Sequence, residues 1–501
     1  MPQFLKELAG RFNALSEAAD NNPTIRSLFR TGLLVLCLGV FLMIPMRILS
    51  YGYLPPDDAL RHSAYAVSDR EWGDIMLINP ELRPDIDGQA GWHSFLKVVH
   101  RATNWTPGQL VSVSVALGLL TFMMGGLIAS GNPPAWFIAC AVMSVLEPAL
   151  FGKLALGRPL FLTMASVAIL LLVWTRENPL KPRLETLATF AVLSVSIVAH
   201  SSAWYLWAIA IPPLVLCRRW RSLATFAVAW PAAVGVACII NGPYNAILTP
   251  LLGLKLGVVH AKTLGPNLVS ELQPSGAPYV SLLAVAMIVI VKVMRGSRAR
   301  QELMQPDLCF ALVAWMLGLY VSRFWVEWGL PALLVWFTRQ IRDGLSVGLA
   351  GLPRAHDTVV VFTFAAGVMY LIQTADVGGR YTNALRNPAL WAPEEELRRM
   401  LPEDGGIFYS SDNRTFFVLF HRLPHAKFKY ATAMEAGVMP PEDLKVLRAI
   451  QSRGTLNEYK PWFEKMTPKD RVFIQHPSKP EWPSIHFRPF FGGWIGNKIG
   501  A

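Results

Sequence analysis

Apolar runs recur along this chain, the longer ones of about 17–22 residues, the length an α-helix needs to cross roughly 30 Å of hydrocarbon. They are read at 31–49, 109–130, 135–150, 160–175, 185–200, 203–217, 222–240, 279–294, 307–323, 327–338 and 357–373. That makes about eleven transmembrane helices, and the short runs at 135–150 and 327–338 suit tilted or broken ones. Composition agrees: 53% of the residues are hydrophobic and only 16% charged, too apolar for an ordinary soluble protein. The expected fold class is therefore a polytopic α-helical membrane protein. Residues 1–30 are polar and mixed in charge, and the first apolar run starts near Thr31, which does not read as a cleavable signal.

The formal net charge of +12 would suit a nucleic-acid partner, but its placement argues otherwise. Arg176, Lys181 and Arg183 follow the fourth run, and Arg218, Arg219 and Arg221 follow the sixth. Arg295, Arg298 and Arg300 follow the eighth, and Arg339 and Arg342 end the tenth. Nearly every even-numbered run ends in this way and the odd ones do not, which is the positive-inside pattern. The charge is topological, and no nucleic acid is expected. The pattern puts segment 1–30 in the cytoplasm and the spans in 31–373. It puts the long loops 50–108 and 241–278, and the tail 374–501, on the external face.

The tail reads as a small α/β domain. Short strands are expected at Gly406–Ser411, Phe416–Phe420, Lys427–Tyr430 and Arg471–Gln475, and a helix from Pro440 with acids in its first turn. The five cysteines, Cys37, Cys140, Cys217, Cys238 and Cys309, all fall in or beside spans and read as packing residues. Neither a disulfide framework nor a zinc spacing is visible.

Polar residues at the external ends of the spans are the candidates for chemistry. Asp57-Asp58 leaves the bilayer behind a Pro-Pro turn, with Arg61 and His62 within one helical turn. An acidic pair there caps a helix, holds a divalent metal or activates a nucleophile. Glu271, in Val269–Pro274, stands in a largely uncharged loop, as a solvated side chain or a second site acid. Arg323, in Ser322–Trp328, is placed to meet a phosphate, or to pair internally with Glu327 at i, i+4 spacing. Lys153 and Arg158 could touch phosphate or snorkel to the interface. Glu147 could be a further acid, and His200, before Ser201-Ser202, a substrate contact or a structural histidine. Asn104-Trp105-Thr106 and Asn413-Arg414-Thr415 fit the glycosylation acceptor pattern, which arises easily by chance.

Taken together, these features resemble the GT-C superfamily of polyprenyl-phosphate-dependent glycosyltransferases, with the nearest likeness to the oligosaccharyltransferase catalytic subunit. Asp58, or its neighbour Asp57, looks like the family's catalytic acid in the first external loop. Val269-Ser270-Glu271-Leu272-Gln273-Pro274 looks like the acidic element of the last large external loop. Arg323-Phe324, with Pro331 downstream, looks like the segment whose arginine meets the lipid-linked phosphate. Two family elements are absent: the Trp-Trp-Asp-Tyr-Gly motif of the tail, and a second acidic motif, in whose place stands Arg158.

The resemblance implies transfer of a sugar or oligosaccharide from a polyprenyl phosphate or diphosphate to an acceptor glycan, lipid or protein on the external face. The enzyme would sit in the plasma (inner) membrane and invert the anomeric carbon. Asp58 would act as general base or metal anchor with Asp57 in support, and Glu271 would close over the site. Arg323, Arg158 and Lys153 would meet the donor phosphate, and Arg61, His62 and His200 the substrate. A metal, if used, would be Mg²⁺ or Mn²⁺ on Asp58 and Glu271. Two rivals stand beside this reading. One is a polysaccharide polymerase or O-antigen-type ligase, which would lean on Arg158 and His200. The other is a lipid-linked glycan flippase, which would place polar residues at mid-membrane rather than at one face.

Overall fold

The computed structural model describes residues 23–55, 57–176, 178–247, 279–297, 299–348, 354–432 and 438–499. The expected contribution of Glu271 and most of the loop 241–278 therefore lies outside the described residues. Four described helices are long and apolar enough to cross a membrane: Thr31–Ser50 within α1 (Pro23–Ser50), α4 (Pro107–Ser130), α8 (Pro182–Ala199) and α10 (Trp220–Asn241). Large apolar side chains face outward from these helices, Ile128 on α4 and Ile239 on α10 being 78% and 85% exposed. Water would not tolerate such faces at this density, whereas lipid does. The chain is an integral membrane protein.

The remaining runs form shorter apolar helices. The run at 135–150 is broken: α5 (Pro133–Leu146) and α6 (Pro148–Leu154) meet at 103° where Pro148 follows Glu147. Proline cannot continue the ladder of α5, and it starts α6 instead. After it come α7 (Leu160–Trp174), α9 (Ala203–Leu216, with a 3₁₀ turn inside), α11 (Tyr279–Met294) and α12 (Pro306–Gly318). The run expected at 307–323 stops at Gly318. A π-helical turn, Phe324–Gly329, then leads into α13 (Leu330–Gly348), and α14 (Arg354–Thr374) follows. Helix α1 begins at Pro23, inside the segment 1–30 read as polar and cytoplasmic.

The first loop, 50–108, is itself helical, with α2 (Asp58–Ser68) and α3 (Ala90–Thr103). The tail holds a five-stranded sheet, order β2-β1-β3-β5-β4. Here β1 (Ile407–Ser410) runs parallel to β2 (Lys429–Tyr430) and β3 (Arg471–Ile474), and β4 (Ile485–Phe490) and β5 (Gly493–Lys498) form an antiparallel hairpin. The helix expected from Pro440 is α16 (Pro441–Arg453). The Phe416 run is not a strand but lies in helix α15 (Asn413–Arg422). Asp412 caps it by accepting the amides of Arg414 and Thr415 at 3.1 and 3.0 Å, and Phe416, Phe417, Leu419 and Phe420 form its buried face.

The tail closes over the first loop. The Leu77 amide donates to Tyr430 and the Asn79 amide to Val438, at 2.9 and 2.7 Å, and the Phe420 ring lies 6.3 Å from Trp72. The α2 residues beneath α15, Arg61, His62 and Ser63 among them, are buried as a result.

Candidate active site

Helix α2 begins where Asp57 turns its carboxylate back onto the Asp58 amide, at 2.6 Å, from an extended backbone. Asp57 is thus the helix cap, a role worth about 1 kcal/mol. It does more than cap. Arg158, in the connection between α6 and α7, donates Nη2 to the same Asp57 Oδ1, and its Nε lies 3.8 Å from Asp58 Oδ2. Arg61 Nη2 stands 3.2 Å from Asp58 Oδ1. Gly157 lets this connection press onto α4. Its φ is +65°, and a Cβ there would stand 3.1 Å from the Val115 amide nitrogen. Two carboxylates thus alternate with two guanidinium groups at the end of the spans. Burial pushes the Asp57 carboxyl above its ordinary value. Arg158 opposes the shift and Asp58 adds to it.

Behind this cluster runs a buried chain that the sequence reading did not find. Asp87 Oδ2 lies 2.7 Å from His93 Nδ1, and His93 Nε2 lies 2.7 Å from His62 Nδ1. Burial would raise the Asp87 carboxyl, but His93, the Gln89 amide and Arg61 together bring it below its ordinary value. His62 is held well below the usual histidine range, first by burial and then by Arg61, His93, Arg158 and His200. Where His93 donates Nδ1 to Asp87 and accepts the His62 Nδ1 proton at Nε2, the chain ends at His62. His62 Nε2 is then a bare lone pair, buried and without a hydrogen-bond partner among the described residues. The one local signal was a histidine in the first turn of an amphipathic helix, α3; its partner His62 is 31 residues away.

A third cation was also missed. A Cβ on Gly152 would meet Arg380 Nη2 at 3.4 Å, and the Arg380 guanidinium lies 5.0 Å from the Tyr381 ring. Tyr381 in turn stands edge-on to Tyr53 at 5.1 Å. Burial pushes the Tyr53 hydroxyl up, Tyr381 and Asp57 push the same way, and Arg380 opposes them.

The structure therefore gathers Asp57, Asp58, Arg61, His62 and Arg158, with His200 near enough to weigh on His62. Lys153 lies near the end of α6, in the segment that leads to Arg158. Arg323 precedes the π-helical turn, and its Nε donates to the buried Glu327 at 2.7 Å, the internal pairing considered as the alternative. Glu147 accepts the Ser281 hydroxyl at the α5–α6 bend. Asn104 is the left-handed cap of α3 and Asn413 the first residue of α15.

Of the residues expected to hold Mg²⁺ or Mn²⁺, Asp58 is described and Glu271 lies outside the described residues. Asp57 Oδ1 and Asp58 Oδ1 each face a guanidinium group, so a dication would sit beside two fixed positive charges. Among the described residues no three His, Cys, Asp or Glu side chains converge as ligands.

The architecture can now be set beside known proteins. A crystal structure of ArnT from Cupriavidus metallidurans bound to undecaprenyl phosphate matches 93% of this chain and 98% of its own, with a TM-score of 0.56. The apo structure of the same protein matches over the same shares with a TM-score of 0.54. The chain shares its fold with ArnT. At 14% identity in both cases, that likeness is one of fold alone. It bears out the expected polytopic helical membrane fold and lends no support to the nearer likeness to the oligosaccharyltransferase catalytic subunit. No protein-family model matches the chain, and no curated protein matches it by sequence.

Proposed function

We propose that this chain is a membrane glycosyltransferase that takes a sugar from a polyprenyl phosphate or diphosphate. The observation that carries the reading is the Asp57–Arg158–Asp58–Arg61 cluster at the end of the spans, in a fold that ArnT shares and that in ArnT binds undecaprenyl phosphate. Guanidinium groups suit a phosphate bidentately, and the carboxylates keep them in place until it arrives. When the phosphate takes Arg158, both carboxylates lose a neighbouring cation; Asp58 keeps Arg61 at 3.2 Å and becomes available as a base. It accepts the proton of the acceptor hydroxyl as that oxygen attacks the anomeric carbon. The bond to the carrier phosphate breaks on the opposite face, with inversion. Arg158, Lys153 and Arg380 meet the charge that gathers on the departing phosphate. Arg323 joins them by exchanging Glu327 for the carrier, and Glu271 closes from the second loop. On this reading the N-terminus is cytoplasmic. The pair faces the periplasm or the outside of the cell, and 374–501 form a separate domain that shapes the acceptor groove.

His62 and His200 are buried, and Arg158 and His200 both lie near enough to weigh on His62, which favours a second reading, a polymerase or ligase moving glycans between lipid carriers. One assay separates the two. Membranes holding the wild type or Asp58→Ala are given a labelled undecaprenyl-phosphate-linked sugar, with and without EDTA. Loss of transfer in the variant alone supports the proposed mechanism. Transfer that survives Asp58→Ala but fails in Arg158→Ala and His200→Ala moves the ligase reading to the front. Loss on chelation as well makes the transfer metal-dependent, with Asp58 as the metal's anchor.

A further inference from the structure

The far ends of α4 and α7 enclose a second charged place. Helix α7 has 15 residues and spans about 22 Å, so its end lies that distance from Arg158. A cavity of about 360 Å³ opens there between the α4–α5 turn, the end of α7 and the middle of α13. Arg176, Arg339 and Arg342 line it together with Asn132, Thr175 and Asn178, and among the described residues no carboxylate does.

The three arginines are not equivalent. Arg339 is engaged: its Nη2 donates to Asp307, at 2.6 Å, and to Gln305. Its buried Nε has no hydrogen-bond partner among the described residues. Arg176 donates to the Ala129 carbonyl from Nε and Nη2, at 3.3 and 2.9 Å, and this orders the side chain without neutralising it. Arg342 lies 3.4 Å from Asp343, itself shared with Lys292 at 3.6 Å. Arg176 therefore brings to the cavity a positive charge held in position on a planar donor by a neutral carbonyl.

Positive residues at this end of the spans are expected from topology alone. What topology does not require is convergence. Arg218 and Arg295 also end spans on this side, yet both are exposed and neither lines the cavity. Basic pockets between transmembrane helices, at the level where helices end, suit phosphate-bearing head groups.

We infer that this cavity binds the phosphate of an anionic membrane lipid, on the face opposite the Asp57–Asp58 cluster. The inference does not rest on the proposed glycosyl transfer. A free phosphate anion offers the same chemistry without the acyl chains, and the experiment separates the two.

The full chain is purified into detergent, and the lipids retained are counted by native mass spectrometry after addition of phosphatidylglycerol or phosphatidylcholine. Wild type is expected to keep phosphatidylglycerol about tenfold better, and Arg176→Gln with Arg342→Gln to remove that preference. Arg218→Gln with Arg295→Gln is expected to keep it. Asn178→Trp, which fills the cavity mouth without changing charge, tests the pocket even if the double variant fails to fold, and is also expected to lose the preference. Equal loss in the Arg218/Arg295 control would make the effect one of general charge and overturn the inference. So would an unchanged preference in Asn178→Trp. Thermal stabilisation by inorganic phosphate that the double variant lacks, without any lipid preference, would assign the cavity to a soluble anion instead.

Discussion

Helix α7 has an arginine at each end, and the two live differently. Arg158, before its first residue, lies against two carboxylates, with Arg61 completing the alternation. Arg176, after its last residue, is described with a backbone carbonyl. A guanidinium that faces movable carboxylates can trade them for a ligand and release a base as it does so. A guanidinium fixed by a carbonyl keeps its full charge and can only hold. The same side chain is thus part of a reacting cluster at one end and of a binding cavity at the other. The neighbours decide which, as Asp307 does for Arg339, a fully buried acid pinning a half-buried arginine in place.

The sharpest way to break this contrast is Asp58→Asn. Transfer per folded molecule should fall about 10³-fold, the range of a lost general base, and activity within threefold of wild type would remove the carboxylate from the chemistry. Arg158→Ala should cost about 10²-fold in turnover, with partial rescue in Arg158→Lys. If lysine restored nothing and the alanine protein also melted early, Arg158 would be only a staple for the buried Asp57. His93→Phe should cost about tenfold by breaking one hydrogen-bonded network. It should also move the acid limb of the pH profile, because His62 would lose its neighbour. A profile that falls in height without moving would make the chain structural.

The smallest effect tests the roof. Burial holds His421 down at about 4 against an ordinary 6.5, so the folded state resists the proton that the unfolded chain accepts. Its contribution is complete above about pH 6.5 and is lost as pH falls toward 4. The expected cost is about 1 kcal/mol between pH 7 and 5.5. Thermal unfolding of wild type against His421→Gln reads it directly, and parallel curves would discard the idea.

The spans were legible because length and apolarity are local properties. The run 279–294 coincides with α11, and 160–175 overruns α7 by one residue. The break at Pro148 was written in the sequence, but its angle is set by what packs on both sides. Phe416–Phe420 misled because five residues hold too little periodicity to separate strand from helix. The capping aspartate at 412 was the better signal. The β4–β5 hairpin was missed because Pro489 and Gly493 interrupt its alternation. At the site, Asp57, Asp58 and Arg158 could be proposed from position. The order Asp87–His93–His62 could not, since it depends on α2 and α3 lying side by side.

The seating of α15 on α2 also sets a timetable. Residues near position 60 rest against residues near 420, so the first loop is synthesised long before the wall that covers it has been made. During that interval Arg61 has the Trp72 ring of its own loop beside it but not the Phe417 ring of the tail. A chain halted before residue 413 would contain every charged member of the cluster and still leave it open to solvent. Completeness of the far terminus is in this way a checkpoint for readiness of the near one.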